Sequence, residues 1–407
     1  MSAAWPEISD DVLSAIASTA FGPDFRKFWN LAAGKTFLNH GSFGACPIFI
    51  RQHQAQIQNE LDAHPDSFFL EEIVPGEEPG KLRQNVEPLA QFIGSDAEHV
   101  AYVENATIGI QAALMSAGIR AGDSILISNQ QYNAVRVMVE HNCRTVGATV
   151  LVADLPGDGT EEDMVEAIEC ALQSNTRLAI IDHITSSSAL ELPIKSIAEM
   201  LHRRDVRLIV DGAHAIGHID LDMSDLGADW YVTNAHKWLH APVGTALFYA
   251  SDAVYSITVP PVVSHFAELG FPRSFDYVGS RDYTAWLATP LALRFTTSLE
   301  QAGLRTHWKN LIGHADRSLQ SMGIRPLNAA LSAPAMRSYV LPQTRAATED
   351  DAIAVMDSLW REFGIQTRIL SLDGFLLLRV SGAAYVGQAD IDLLCEALRT
   401  NGWPGRN

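Results

Sequence analysis

The sequence predicts an α/β fold: a large, mostly parallel sheet covered by helices on both faces, followed by a smaller α+β domain. Three observations carry this. Short runs that are apolar at nearly every position recur between Val100 and Tyr249, separated by amphipathic stretches, as strands buried on both faces of a parallel sheet do. Several of these runs end in polar residues (Asp182-His183, Asp211-Gly212, Thr233-Asn234), and in such sheets ligands gather outside the C-terminal strand ends. The chain has 407 residues, 47% hydrophobic and 19% charged, an ordinary globular composition long enough for a large core with a satellite.

The elements follow in order. Residues 1–35 are helical in pattern and are expected to pack with the small domain. Val100–Val103 reads as a strand before a helix that opens near Thr107. Ser124–Ile127 and Thr149–Val152 are strand-like. Leu178–Ile181 runs into Asp182, Leu208–Val210 into Asp211 and Trp230–Val232 into Thr233, with Thr245–Tyr249 after them. Val254–Asp282 is rich in proline, glycine and aromatics and is expected to be irregular. One long helix is expected from Thr284 through Leu304, then alternating strands and helices, with Phe375–Val380 the clearest strand. The boundaries drawn are 36–283 for the large domain and 284–407 for the small one. No internal repeat or low-complexity tract is visible.

The 29 Lys+Arg against 48 Asp+Glu leave a formal charge of −19, which argues against nucleic acid as partner because phosphate backbones are bound by clustered cations. Apolar runs fall far short of the roughly 20 residues of a membrane helix, and Met1–Glu7 has no basic, apolar leader pattern. Cys46, Cys143, Cys170 and Cys395 are widely spaced, fitting reduced thiols in a cytoplasmic protein and no common zinc spacing. Lysine is scarce: Lys27, Lys35, Lys81, Lys195, Lys237 and Lys309 are all there are. A lysine in an apolar setting therefore stands out.

Several motifs fail. Gly34-Lys35-Thr36 resembles the end of a phosphate-binding loop, but Trp29 stands where its first glycine belongs. Neither G-x-G-x-x-G after a strand nor G-x-S-x-G occurs. His214 and His218 are four apart, yet Gly217 lies between them and no third ligand has a telling spacing, so no metal is expected.

Four strand ends remain. Asn105 or Thr107 can cap a helix, and the free amides there either serve only the cap or receive an anion. Asp211 after its apolar strand is either a turn-forming carboxylate or the partner of a cationic ligand nitrogen. His183-Ile184-Thr185-Ser186 either offers hydroxyls to a ligand or forms a turn. Lys237, in Asn234-Ala235-His236-Lys237-Trp238, is either a solvated side chain or a desolvated amine fit for Schiff-base chemistry.

Asp211-Gly212-Ala213-His214 followed by Asn234–Trp238 resembles the signature of class V aminotransferase-family enzymes, which use pyridoxal 5′-phosphate in a fold-type-I architecture. Phe37–Gly44, Asn105-Ala106-Thr107, Gln131–Ala134, His183–Ser186 and Pro261–His265 are similar to the isopenicillin N epimerase-like branch, which also holds carbon–sulfur lyases. The likeness runs from about residue 36 to 385. It implies a mostly parallel seven-stranded large-domain sheet. It implies that Lys237 forms the Schiff base with the cofactor and moves the Cα proton, and that Asp211 holds the pyridine nitrogen protonated. Tyr132 stacks on the ring, and His214 and Ser186 lie near its phenolic oxygen. Ala106 and Thr107, capped by Asn105, hold the phosphate with Asn234 and His236. Gly279-Ser280 reaches that phosphate from a neighbouring subunit, which implies a homodimer with shared sites. Arg379 binds the α-carboxylate of an amino-acid substrate, bordered by Asn39 and His40.

The chain departs from that pattern at Ser280, where threonine is usual, at Val386, where asparagine is frequent, and at His214, where desulfurase relatives have glutamine. Residues 355–378 hold no cysteine, which removes the persulfide carrier a cysteine desulfurase needs. The expected reaction is epimerisation or racemisation at Cα. A carbon–sulfur β-lyase or an aminotransferase of the same family is the alternative, and a non-catalytic homologue is disfavoured by the presence of Lys237, Asp211 and Arg379.

Overall fold

The computed structural model describes residues 9–76, 79–343 and 346–403; the leader reading of Met1–Glu7, the start of the 1–35 segment and the last residues of the 284–407 unit lie outside them. Thirteen strands occur among the described residues. β1 (Thr36–Phe37) precedes β2 (Val100–Val103), β3 (Ser124–Ser128), β4 (Thr149–Ala153), β5 (Thr176–Asp182), β6 (Arg207–Asp211), β7 (Trp230–Thr233) and β8 (Ala246–Ala250). β9 (Arg325–Pro326), β10 (Met336–Leu341), β11 (Ile365–Gln366), β12 (Arg368–Leu372) and β13 (Phe375–Ser381) follow.

β2 through β8 form the seven-stranded sheet, in the order β2-β8-β7-β6-β5-β3-β4, with only β8 running against the rest. Alternate residues feed two separate cores. Ile180, Ile209 and Val232 pack on one face with the Ala106–Ser116 helix; Ala179, Ile181, Leu208 and Val210 pack on the other. Both faces being apolar explains why these strands read as continuous hydrophobic runs rather than alternating ones.

β12-β13-β10-β9 form an antiparallel sheet near the C-terminus. It connects back to the start of the chain, since β1 pairs in parallel with β11 and Ser381 donates its amide to Leu38 O. The single helix expected over 284–304 is two, Thr284–Leu287 and Thr289–Gln301, with a third, Leu304–Gln320, beginning after Gly303. Pro290 explains the break: it offers no amide to the carbonyl four residues before it, and it sits in the first turn of the next helix, where no such amide is needed. Val254–Asp282 contains only short turns of helix. Among the described residues no helix is long and apolar enough to cross a membrane.

Candidate active site

The C-terminal ends of β2, β5, β6 and β7 converge on a cavity of about 310 Å³. Asn105, Ala106, Thr107, Tyr132, Ser186, Asp211, His214, Asn234, His236 and Lys237 all line it, together with Ser42, Phe43, Glu104, Asp182 and Val243. The first ten come from five separate segments, each of which the sequence singles out.

Each is placed by a local device. Asn105 accepts from Ile108 N at 3.0 Å, capping the Ala106–Ser116 helix, and Asn234 Oδ1 takes Ala106 N–H at 2.8 Å. With Ala106 N–H and Ile108 N–H so used, Thr107 N–H has no partner among the described residues and can receive an anion. Thr233 Oγ1 donates to Gly212 O and accepts from Ile216 N, which ties the Asp211 turn to the loop that carries Lys237. Gly44 is needed for a close approach: with φ +70°, a Cβ there would lie 2.0 Å from His236 O. Tyr132 stands at the head of the Asn133–Val146 helix and is half exposed over the cavity.

Lys237 is buried in the β7–β8 connection, with Nζ 3.2 Å from His214 Nε2. Burial lowers its pKa to about 8, against the pull of Asp211. Asp211 accepts from Ala213 N at 3.0 Å. Beside it is a residue the sequence reading passed over. Asp182 ends β5 as Asp211 ends β6, the two are register partners, and Asp182 Oδ2 has no hydrogen-bond partner. Burial raises both carboxyls, and Asp182 more sharply because Asp211 repels its charge. The signal was in the sequence, a second Asp after a second buried strand, but it reads equally well as a turn.

Arg379, on β13, is buried; its guanidinium donates to Ser186 O, to Asn39 Oδ1 at 2.9 Å and to Ser42 Oγ at 2.8 Å. Among the described residues no carboxylate pairs with it and Nε has no partner, and burial lowers its pKa to about 10. Ser42 was missed as well. His40 does not line the cavity: it is wholly buried, with one ring nitrogen 2.8 Å from Tyr385 Oη and the other 3.0 Å from Lys237 O. Ser280 is exposed, 3.0 Å from Tyr277 Oη, and does not line the cavity of its own chain. Its neighbour Arg281 pairs with Glu104 at the rim. His218 donates to His214 O and accepts from Ala335 N, with its ring stacked on Trp238.

A depressed lysine, a buried acid at a strand end and a free amide at a helix start form a seat for a phosphorylated, cationic ring with an aldehyde. The buried atoms left unpartnered around the cavity, Asp182 Oδ2 and His214 Nδ1, fit that group. Fold and site together define a pyridoxal-phosphate-dependent enzyme of fold type I. Residues 80–357 match the family model described as aminotransferase class-V, and the chain belongs to that family. It is 30% identical over 389 residues to isopenicillin N epimerase of Amycolatopsis lactamdurans, covering 89% of this chain and 94% of the relative. It is also 32% identical over 292 residues to putative L-cysteine desulfhydrase 1 of Oryza sativa subsp. japonica, covering 67% of this chain and 60% of the relative. Among solved structures, a cystine C–S lyase in complex with cysteine persulfide superposes with TM-score 0.75 at 20% identity, covering 90% of this chain and 97% of that one. A mutant of the C-DES lyase, with glycine covalently linked to its PLP cofactor, superposes with the same TM-score.

Proposed function

We propose that this enzyme takes an amino-acid substrate, removes its Cα proton with Lys237 on one face and regains a proton on the opposite face of that carbon, an epimerase-like activity. The observation that carries this is the buried Arg379, which does not itself line the cavity but is held by Ser42 and Ser186 of its wall, with no carboxylate among the described residues paired to it. A buried guanidinium bonded only to neutral oxygens keeps an uncompensated charge, and a substrate α-carboxylate is the bidentate partner that offsets it.

Lys237 would hold the cofactor covalently; Asp211 would face its ring nitrogen, Tyr132 its ring face, and His214 with Ser186 its phenolic oxygen. Thr107 N–H and the Asn105, Ala106, Asn234 and His236 segment would receive its phosphate. When bound, the cofactor supplies an electron sink conjugated to the substrate amine, which acidifies the Cα–H bond. Lys237 Nζ then acts as base on one face. Arg379, fixed by Asn39 and Ser42, would hold the carboxylate and so turn the Cα–H bond towards the Lys237 amine. Ser280 would complete a partner's phosphate site in a homodimer. The four unpaired cysteines support a reducing, cytoplasmic setting.

The near-complete mutual coverage with the Amycolatopsis epimerase favours epimerisation. The desulfhydrase relatives support a second reading, β-elimination of sulfur from a cysteine-like substrate. Desulfuration through a persulfide is disfavoured. Among the described residues no cysteine lines the cavity, and burial pushes Cys46, in the loop between the His40–Phe43 turn and the Ile48–Ala63 helix, up to about 12.

Borohydride reduction of the holoprotein followed by peptide mapping is expected to mark Lys237; a fully loaded protein unmarked there defeats the reading. Candidate amino acids incubated in deuterated water separate the reactions. Deuterium at Cα with loss of chirality identifies the epimerase, whereas release of a 2-oxo acid, ammonia and sulfide identifies the lyase.

A further inference from the structure

His40 entered as a residue bordering the substrate, but the structure puts it to another use. Its two ring nitrogens are both occupied, and the partners fix which one carries hydrogen. A carbonyl only accepts, so Nε2–H donates to Lys237 O at 3.0 Å. A neutral imidazole has one N–H, so Nδ1 accepts, and the Tyr385 hydroxyl donates to it at 2.8 Å. Both rings are buried. Burial lowers the His40 pKa to about 4, and Tyr385 is raised, so neither group changes charge near neutrality. The groups facing His40, namely His240, His218 and Lys237, supply no carboxylate that would draw a proton onto it.

The same short turn holds the other end of the site. Asn39 and Ser42 grip the Arg379 guanidinium, while His40 between them grips the Lys237 peptide. Tyr385 lies a few residues beyond Arg379 on the same segment, and Gly44 closes the turn through its amide to His40 O. The two cationic side chains are thus located from one rigid bracket rather than independently.

We propose that His40 and Tyr385 are positioning residues, forming a hydrogen-bonded chain that fixes the Lys237 peptide plane and sets its amine at the working distance from Arg379. This rests on the reading of Lys237 as the covalent anchor and base. Neither residue touches the reacting atoms; they act through the lysine's backbone. A base displaced by about 1 Å from its target loses on the order of 100-fold in rate, while carboxylate binding at Arg379 is little affected.

The test uses holoenzyme variants His40→Leu, His40→Gln and Tyr385→Phe. Turnover, solvent-deuterium exchange at Cα, the pH midpoint of the cofactor absorption band and thermal unfolding are measured for each. His40→Leu is expected to lose about 100-fold in kcat with KM within about threefold, and to shift the band midpoint. His40→Gln returns an amide N–H towards Lys237 O and is expected to recover about tenfold of that loss and the wild-type midpoint. Tyr385→Phe deletes a single hydroxyl and is expected to lose about fivefold to tenfold, which keeps the test alive if His40→Leu does not fold. Wild-type kcat and midpoint in His40→Leu or Tyr385→Phe overturn the proposal. So do leucine and glutamine variants impaired equally and in step with their unfolding temperatures, the mark of a space-filling role. Borohydride labelling of wild type at a lysine other than Lys237 instead defeats the functional reading beneath it.

Discussion

At Lys237 burial favours the neutral amine, Asp211 pulls towards the ammonium, and the weaker effects of Arg379 and Asp182 act in opposite directions. Burial wins, leaving the pKa at about 8. Only the neutral amine attacks an aldehyde, so capture of pyridoxal phosphate by the apoprotein is expected to quicken as pH rises and to level off above about 8. At pH 7 about a tenth of the amine is available. Stopped-flow absorbance checks this; a rate still climbing past pH 10 contradicts it. Arg379 makes a second prediction at this scale. Arg379→Leu removes the buried guanidinium held at the cavity wall by Ser42 and Ser186 and is expected to lower kcat/KM about 100-fold, with the cofactor still bound. Lys237 and Asp211 were legible in the sequence because each sits beside its own strand end. Arg379 was assigned from a family likeness alone, and its partners Asn39 and Ser42 lie far away in sequence, so local pattern contains no trace of their contact.

At the level of elements, the site depends on backbones meeting closely. The Asn39–Gly44 turn lies against the Lys237 loop, and Gly44 is there because no side chain fits between them. Gly44→Ala introduces a strained φ and a clash with His236 O, and is expected to cost about 2 kcal/mol or more of stability and to loosen cofactor binding. Chemical denaturation and cofactor titration measure the two effects together; loss of stability with unchanged affinity separates the turn from the site. Strands were readable from sequence because both faces of β5, β6 and β7 are buried, which leaves no polar alternation to confuse them. The 284–304 region was not, because a single apolar helical pattern runs across Ala288, where the missing amide of Pro290 ends one helix and starts the next. Asp182 belongs here too. Its significance comes from lying in register with Asp211 across two strands, and register is a property of the sheet.

For the whole molecule, the proposed homodimer gives a test that mixes defects. If Ser280 serves the partner's phosphate, Lys237→Ala and Ser280→Asp variants are each inactive alone. Refolded together they are expected to regain about a quarter of wild-type activity, because half the dimers are mixed and one of their two sites is intact. No recovery, with dimers confirmed by sedimentation, removes Ser280 from the shared site. The division into 36–283 and 284–407 remains a proposal, and β1 pairing with β11 shows how tightly the two stretches are joined.

The sequence by itself determined the sheet class, the family and the residues at strand ends, since hydrophobic periodicity and short motifs are local and survive without coordinates. Only the tertiary structure decided which side chains face the cavity and which are sealed away. Burial and hydrogen-bond partners come from segments hundreds of residues apart, and those contacts turned His40 from a substrate neighbour into the support beneath Lys237.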